Sequence, residues 1–283
     1  MPVIIPTTGQ QVAVNGVDLS QYATVVFSKA DMMGSSPKRG KNVSVPGRHG
    51  TIRTPRKRFG EADLILKLLV LGSQPDGSVP SGSAALELYN RADALMALFP
   101  AADSVVLTRT LPNGSVRQCV AEVVGKVDWT RTMGARPLLA EVTIALLIPG
   151  VFWTDLTPVT STITGVSGTT ATLTAFQGAT APMENLTLTF GPCNNPQLVQ
   201  GNTVMTYNGV ISAGRQLVVS TGTWTLSTGS GTAWTPSYAN LTYTPGPPWW
   251  SLDPTQPLSV TFNHTEGSTA SVTITGSRAY LSA

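Results

Sequence analysis

The chain has 283 residues, with 18 Lys and Arg against 15 Asp and Glu, and charged residues make up only 12% of it. A 41% hydrophobic share at a formal charge of +3 allows a core and excludes a disordered chain, and the length allows two domains, each burying its own interior. Sparse charge with abundant Thr, Val, Gly and Pro points to a mainly β protein, because β-branched side chains suit a pleated, half-buried surface.

The opening ten residues, MPVIIPTTGQ, carry no charged n-region and no apolar h-region, so no secretory signal is expected and the protein reads as soluble, made in a cytoplasm. Residues 11–14 read as a strand running into the turn Asn15-Gly16, and 24–27 as a second short strand. Then comes the densest charge in the chain. Between 38 and 58 stand Lys38, Arg39, Lys41, Arg48, Arg53, Arg56, Lys57 and Arg58, with no acid among them. Pro37, Gly40, Pro46, Gly47, Gly50 and Pro55 make this segment a loop or extended ribbon rather than a helix. Residues 63–71 follow as an almost continuous apolar run, the pattern of a strand covered on both faces.

After a turn-rich connector at 73–82, Ser83 is the expected N-cap of a helix. Its apolar face is Ala85, Leu88, Ala92, Leu95 and Phe99, and Pro100 ends it. A hairpin is expected over 105–111 and 116–127 around Asn113-Gly114, with Cys119, Ala121, Val123, Val127 and Trp129 alternating inward. Residues 138–148 supply a last strand before Pro149-Gly150. Beyond a boundary near 150–160 the character changes. Residues 162–174 suggest a hairpin turning near 165–168. Leu186, Leu188 and Phe190, then Leu217 and Val219, then Leu258, Val260 and Phe262, then Val272 and Ile274, alternate with polar residues. Turns fall at Asn194-Asn195-Pro196, Asn208-Gly209 and 229–231, the spacing of a β-sandwich. The expected domains are 1–153, with an extended basic loop at 29–58, and 154–283. The basic charge belongs to the first: residues 1–150 net +5 and residues 151–283 net −2.

Cys119 and Cys193, one in each expected domain, read as buried free thiols rather than a bridge. The apolar runs at 64–71 and 145–153 are too short to span a bilayer. Two histidines, His49 and His264, cannot build a His-rich metal site or a paired base, and His264 reads as a loop residue. No nucleotide-binding, metalloprotease or nucleophile-elbow motif occurs, so no catalytic residue, metal or cofactor is expected. Trp224, Trp234, Trp249 and Trp250, with Tyr207, Tyr238 and Tyr243, could stack on the apolar face of a sugar or plug the ends of the sandwich. Trp249-Trp250, entered through Pro247-Pro248, reads as a plug. The basic segment is an array that phosphates could contact. Only Phe59 lies near for single-strand stacking, however, and the Pro and Gly content disfavours a recognition helix, so an acidic protein surface is the better partner.

Two groups of residues carry a resemblance. One is Val14-Asn15-Gly16-Val17-Asp18-Leu19-Ser20-Gln21-Tyr22, followed by Val45-Pro46-Gly47-Arg48-His49-Gly50-Thr51-Ile52 and an apolar strand. The other is Pro182-Met183-Glu184-Asn185-Leu186-Thr187-Leu188, a strand around 217–219, Pro248-Trp249-Trp250-Ser251-Leu252, and a final strand at 272–281. In this order they resemble the distal tail protein (Dit) of long-tailed, non-contractile bacteriophages. The resemblance implies an N-terminal tail-tube-like β-sandwich with one α-helix and a C-terminal galectin-like β-sandwich. It further implies a hexameric ring in the virion, at the tail tip or baseplate, assembled in the host cytoplasm. The ring would join the tail-tube protein to the tail-associated hub or fibre protein. Tape-measure protein and DNA would pass through its lumen, the DNA without specific binding, and no membrane would be involved. The long 29–58 segment and a Thr/Gly-rich stretch at 162–178 depart from that pattern. Lys38, Arg39, Lys41, Arg48, His49, Arg53, Arg56, Lys57 and Arg58 are the expected assembly arm, set against acids of a neighbouring subunit. A carbohydrate-binding protein acting through the second domain, or a tail-tube subunit, are the competing readings.

Overall fold

The computed structural model describes residues 11–26, 38–39, 43–44, 51–52, 58–59, 61–73, 77–99, 104–124, 127–131, 139–231, 233–243, 250–265 and 269–281. The chain divides into two compact units, the first running to Leu156 and the second covering Thr157–Tyr280. Both are built of antiparallel sheets, as the Thr- and Val-rich composition requires.

In the first unit, β1 (Val12–Val14) and β2 (Val17–Asp18) form a hairpin, and β3 is Thr24–Val26. The basic segment contributes β4 (Lys38–Arg39), β5 (Val43–Ser44), β6 (Thr51–Ile52) and β7 (Arg58–Phe59). Then follow β8 (Ala62–Leu71), α1 (Ala84–Ala97), β9 (Ser104–Thr110), β10 (Val116–Val123), β11 (Asp128–Arg131), β12 (Leu139–Ile148) and β13 (Trp153–Asp155). The main sheet runs β2-β1-β9-β10-β12-β8-β3, with β11 paired to β12 and β13 to β10. At the first turn Asn15 and Gly16 both take positive φ, 50° and 81°, the mirror-image turn that matches strand twist. Asn15 also fixes the hairpin to β9: its N–H donates to the Val106 carbonyl and its Oδ1 accepts from the Val106 N–H, both at 2.9 Å.

One face of this sheet and α1 make the core. Leu64, Leu66, Leu68 and Val70 of β8 and Ala140, Val142, Ile144 and Leu146 of β12 are buried, with Leu88, Ala92, Leu95 and Phe99 of the helical segment. The expected apolar face of the helix is thus the buried one. Ser83 does precede the helix in an extended conformation, but its side chain makes no capping hydrogen bond. The long apolar strand differs from its expectation in one respect. Its two faces are unequal: Ile65 and Leu71, pointing away from the core, remain 43% and 44% exposed. The expected second arm of the hairpin is also interrupted, ending at Val123 and resuming as β11 further along the same edge of β12, the edge opposite β8.

The second unit has a six-stranded sheet, a five-stranded sheet and a two-stranded one. Its strands are β14 (Val159–Gly165), β15 (Thr169–Thr172), β16 (Leu186–Phe190), β17 (Cys193–Asn194), β18 (Gln197–Gln200) and β19 (Thr203–Tyr207). They continue with β20 (Val210–Ile211), β21 (Gln216–Ser220), β22 (Thr225–Ser230), β23 (Ala233–Pro236), β24 (Leu241–Tyr243), β25 (Ser259–Asn263), β26 (Ala270–Gly276) and β27 (Ala279–Tyr280). The larger sheet runs β14-β26-β16-β21-β22-β23 and the next β15-β25-β18-β19-β24, while β17 pairs β20. Their buried faces pack against each other, with the rings of Phe190 (β16) and Phe262 (β25) 6.1 Å apart. The expected hairpin at 162–174 is not one. β14 pairs β26 along its full length, Val159 opposite Gly276, whereas β15 pairs β25. The turn between them carries the chain from one sheet to the other, a crossover that alternation cannot distinguish from a hairpin.

Candidate interaction surfaces

The basic segment is an antiparallel ribbon wherever it is described. Lys38 pairs Phe59 and Arg39 pairs Arg58, and further out Val43 pairs Ile52 and Ser44 pairs Thr51. Three of the nine expected arm residues, Lys38, Arg39 and Arg58, therefore lie on one two-rung ladder. Lys41, Arg48, His49, Arg53, Arg56 and Lys57 lie outside the described residues. The register sets two arginine positions directly opposite each other, an arrangement that like charge disfavours unless an anion is near.

The main sheet of the first unit presents its second face with apolar residues on it. Val120 (53% exposed) stands opposite Val106 and Ile65 opposite Ala145. Beneath the other face lie charges that hydrophobic patterning did not reveal. Glu87 and Arg91, one turn apart on α1, are both buried, and Arg91 Nε donates to the Tyr22 carbonyl at 3.2 Å. Burial draws the Arg91 pKa down, and Glu87 pulls it back up. Arg109 is buried too. Burial lowers its pKa first and Arg117, its cross-strand partner, second, while Asp155 stands opposite Arg117 on β13. The spacing of Glu87 and Arg91 was a usable signal, because i and i+4 positions share a helix face. For Arg109 the inward parity of β9 was the signal.

Cys119 and Cys193 are both buried and free. Burial pushes the Cys119 thiol up from its ordinary 9.0 to about 12. In the unfolded chain that thiol ionises near its ordinary value, whereas in the folded one it stays neutral. Its contribution to stability is therefore full below pH 9 and is lost as pH rises from 9 towards 12. Urea midpoints at pH 8 and pH 10.5 should differ less in Cys119→Ala than in the parent chain, and an unchanged pH dependence would refute the assignment. Ellman's reagent should find no reactive thiol in the native protein and two in urea.

The aromatic residues of the second unit separate into exposed and buried sets. Trp224 is 61% exposed and Trp234 is 40% exposed. Trp250 is 1% exposed, and so presents no face to a ligand. It leaves the expected sugar platform and is core, as the Pro-Pro entry suggested. Trp249 lies outside the described residues. Tyr207 is also buried, its hydroxyl 2.8 Å from Ser237 Oγ. His264 lies just past the end of β25, a loop residue as expected, yet it is buried, its ring 5.2 Å from that of Phe262 and its Nε2–H donating to the Gly165 carbonyl at 3.3 Å. The signal missed was parity: His264 continues the inward alternation of Val260 and Phe262.

Among the described residues no three His, Cys, Asp or Glu side chains are grouped to hold a metal, and no helix is long and apolar enough to cross a membrane. No protein-family model matches the chain, and no curated protein matches it. The fold itself is specific. A mainly β chain of two antiparallel units, the first with one α-helix among its described residues, has the fold of the phage distal tail proteins. Among the solved structures that match is Dit (gp 19.1) of phage SPP1, itself described as a paradigm of the hub adsorption apparatus in phages infecting Gram-positive hosts. The two superpose with a TM-score of 0.59 over 95% of this chain and 98% of that one, at 15% sequence identity.

Proposed function

We propose that the chain is a structural component of a bacteriophage tail tip, a hexameric distal ring that joins the tail tube to the hub or fibre proteins and lets DNA through. The observation that carries this reading is the two-unit match over nearly the full length of a hub protein. Two physical features support it. A closed ring needs two different patches on each subunit, one meeting the other on the neighbour. The described rungs of the basic ribbon and the second face of the main sheet, where Ile65, Val106 and Val120 are exposed among Asp63, Lys67, Glu122 and Glu141, are unlike patches of that kind. The paired arginine positions of the ribbon are best accommodated against acids of an adjacent subunit or ring, so the arm Lys38–Arg58 is the proposed assembly element.

Light scattering tests this directly. The expected particle is six times 29.7 kDa, about 178 kDa, and negative-stain images should show isolated rings with a central hole. Because exposed charge contacts are screened at high salt, the ring should weaken between about 0.1 and 1 M NaCl if the arm's charges dominate. A protein that stays monomeric at high concentration refutes the ring. Long filaments would identify a tail-tube subunit instead.

A further inference from the structure

We propose that Asn208-Gly209, the two-residue link between β19 and β20, is a self-modification site at which the asparagine converts slowly to isoaspartate and aspartate. This holds whether or not the ring forms.

Asn-Gly occurs three times in the chain, at Asn15-Gly16, Asn113-Gly114 and Asn208-Gly209. The chemistry open to such a pair needs no enzyme. The glycine amide nitrogen gives its proton to solvent base and attacks the asparagine Cγ. A new C–N bond closes a five-membered succinimide, and the side-chain nitrogen leaves as ammonia. Water then opens the ring at either carbonyl. One opening gives aspartate, and the other gives isoaspartate, whose main chain runs through the former side chain. Nothing is oxidised or reduced. Glycine suits the step because no Cβ shields its nitrogen.

Two of the three sites are held shut. The Gly114 N–H donates to the Leu111 carbonyl at 2.9 Å, so the attacking nitrogen there is occupied. Asn113 Oδ1 is fixed as well, accepting from the Ser115 N–H at 3.0 Å and from Ser115 Oγ at 2.7 Å. Asn15 is clamped to β9 through the Val106 carbonyl and the Val106 N–H, both at 2.9 Å. Turning its Cγ towards Gly16 breaks the second of these bonds.

Asn208 differs on each count. Among the described residues the Gly209 N–H makes no hydrogen bond. The Asn208 side chain is held by one long bond, Nδ2 donating to Thr242 Oγ1 at 3.3 Å. Asn208 is exposed and Val210 is 65% exposed, so solvent base and water reach the link. The ladder beyond it is short: β20 has two residues, with Ile211 opposite Cys193 and Val210 opposite Asn194. An element with so few bonds opens locally at little cost. Nor can the glycine be exchanged for a protecting residue. A Cβ at Gly209 would come within 2.7 Å of Tyr207 Cε1, and Tyr207 is buried with its hydroxyl bonded to Ser237. The susceptible pair follows from seating Tyr207.

Conversion alters the link in two ways. A carboxylate replaces a neutral amide, and the isoaspartyl form lengthens the main chain by one methylene between Tyr207 and Val210. Burial fixes Tyr207, so the slack falls on β20 and loosens its pairing with Cys193.

The purified full chain is aged in mildly alkaline buffer, folded and in urea, and followed by peptide mapping with isoaspartate labelled by its repair methyltransferase. In the folded protein Asn208 should convert roughly tenfold faster than Asn15 or Asn113, the factor that one hydrogen bond on the attacking or attacked group supplies. In urea, where those bonds are gone, the three should convert at comparable rates. Asn208→Gln should keep the parent's circular dichroism and remain unmodified at that position. Cys193, located by the same mapping, should become reactive to Ellman's reagent in the aged parent and stay unreactive in aged Asn208→Gln. Equal rates at the three folded sites, faster conversion at Asn15 or Asn113, or an Asn208 that converts only in urea would each overturn the assignment. A Cys193 still unreactive after full conversion would overturn the loosening of β20.

Discussion

Truncating Phe262 to alanine is expected to destabilise the second unit by about 3–5 kcal/mol, as befits the loss of a fully buried aromatic ring. Phe262 sits at 0% exposure on β25, with Phe190 of the facing sheet on one side and His264, just past the end of the strand, 5.2 Å away ring to ring. The two sheets are each held by long antiparallel ladders, so neither can close over the gap without breaking register. The cavity therefore persists, and its cost adds to the lost transfer energy. His264 also loses the ring beside it. Urea unfolding followed by fluorescence should show the second unit's transition moving to lower denaturant, while the first unit's transition stays in place. A shift worth less than about 1 kcal/mol would mean that the sheets do collapse into the space.

The second large effect concerns charge rather than volume. Arg91→Ala is expected to cost the first unit about 1–3 kcal/mol, the range for losing a hydrogen bond from a charged donor to a part-buried carbonyl beside a buried carboxylate. Glu87 is 5% exposed and one helical turn away, and without Arg91 it keeps its burial but loses that guanidinium. The Tyr22 carbonyl loses a donor in the same step. Replacing both groups, as Glu87→Leu with Arg91→Met, should recover much of the loss, because two apolar side chains of similar volume need no solvation. A double-mutant cycle on thermal unfolding measures the coupling directly. Losses that simply add would show that the two charges act independently.

How much of this could be read in advance depended on whether a pattern was local. The helix, the Asn15-Gly16 and Asn113-Gly114 turns, and the alternation of Leu186, Leu188 and Phe190 were legible because the period of side-chain direction is written into neighbouring residues. The β14–β15 connection was not, since a turn between two strands looks the same whether the strands pair with each other or with β26 and β25. Two-sided cover on β8 was read from composition alone. An apolar run cannot say whether the second layer belongs to the same chain. The candidate surfaces divide the same way. Trp250 reads as core from its entry through Pro247-Pro248, whereas nothing local to Trp224 says that it stays in solvent. Burial of Arg91 and Arg109 is consistent with helical spacing and strand parity, which set both positions inward.

The pairing of β14 with β26 has a consequence for how such a chain can be rebuilt. The second unit is entered through β14, and β26, its last long strand before β27, lies beside it, with Val159 directly across from Gly276. The unit's first strand and its last long strand are thus neighbours, the arrangement in which the two ends of a domain fall close together. The second unit is in that sense a cassette. A different β-domain with equally close ends could be joined at the same boundary through a short linker.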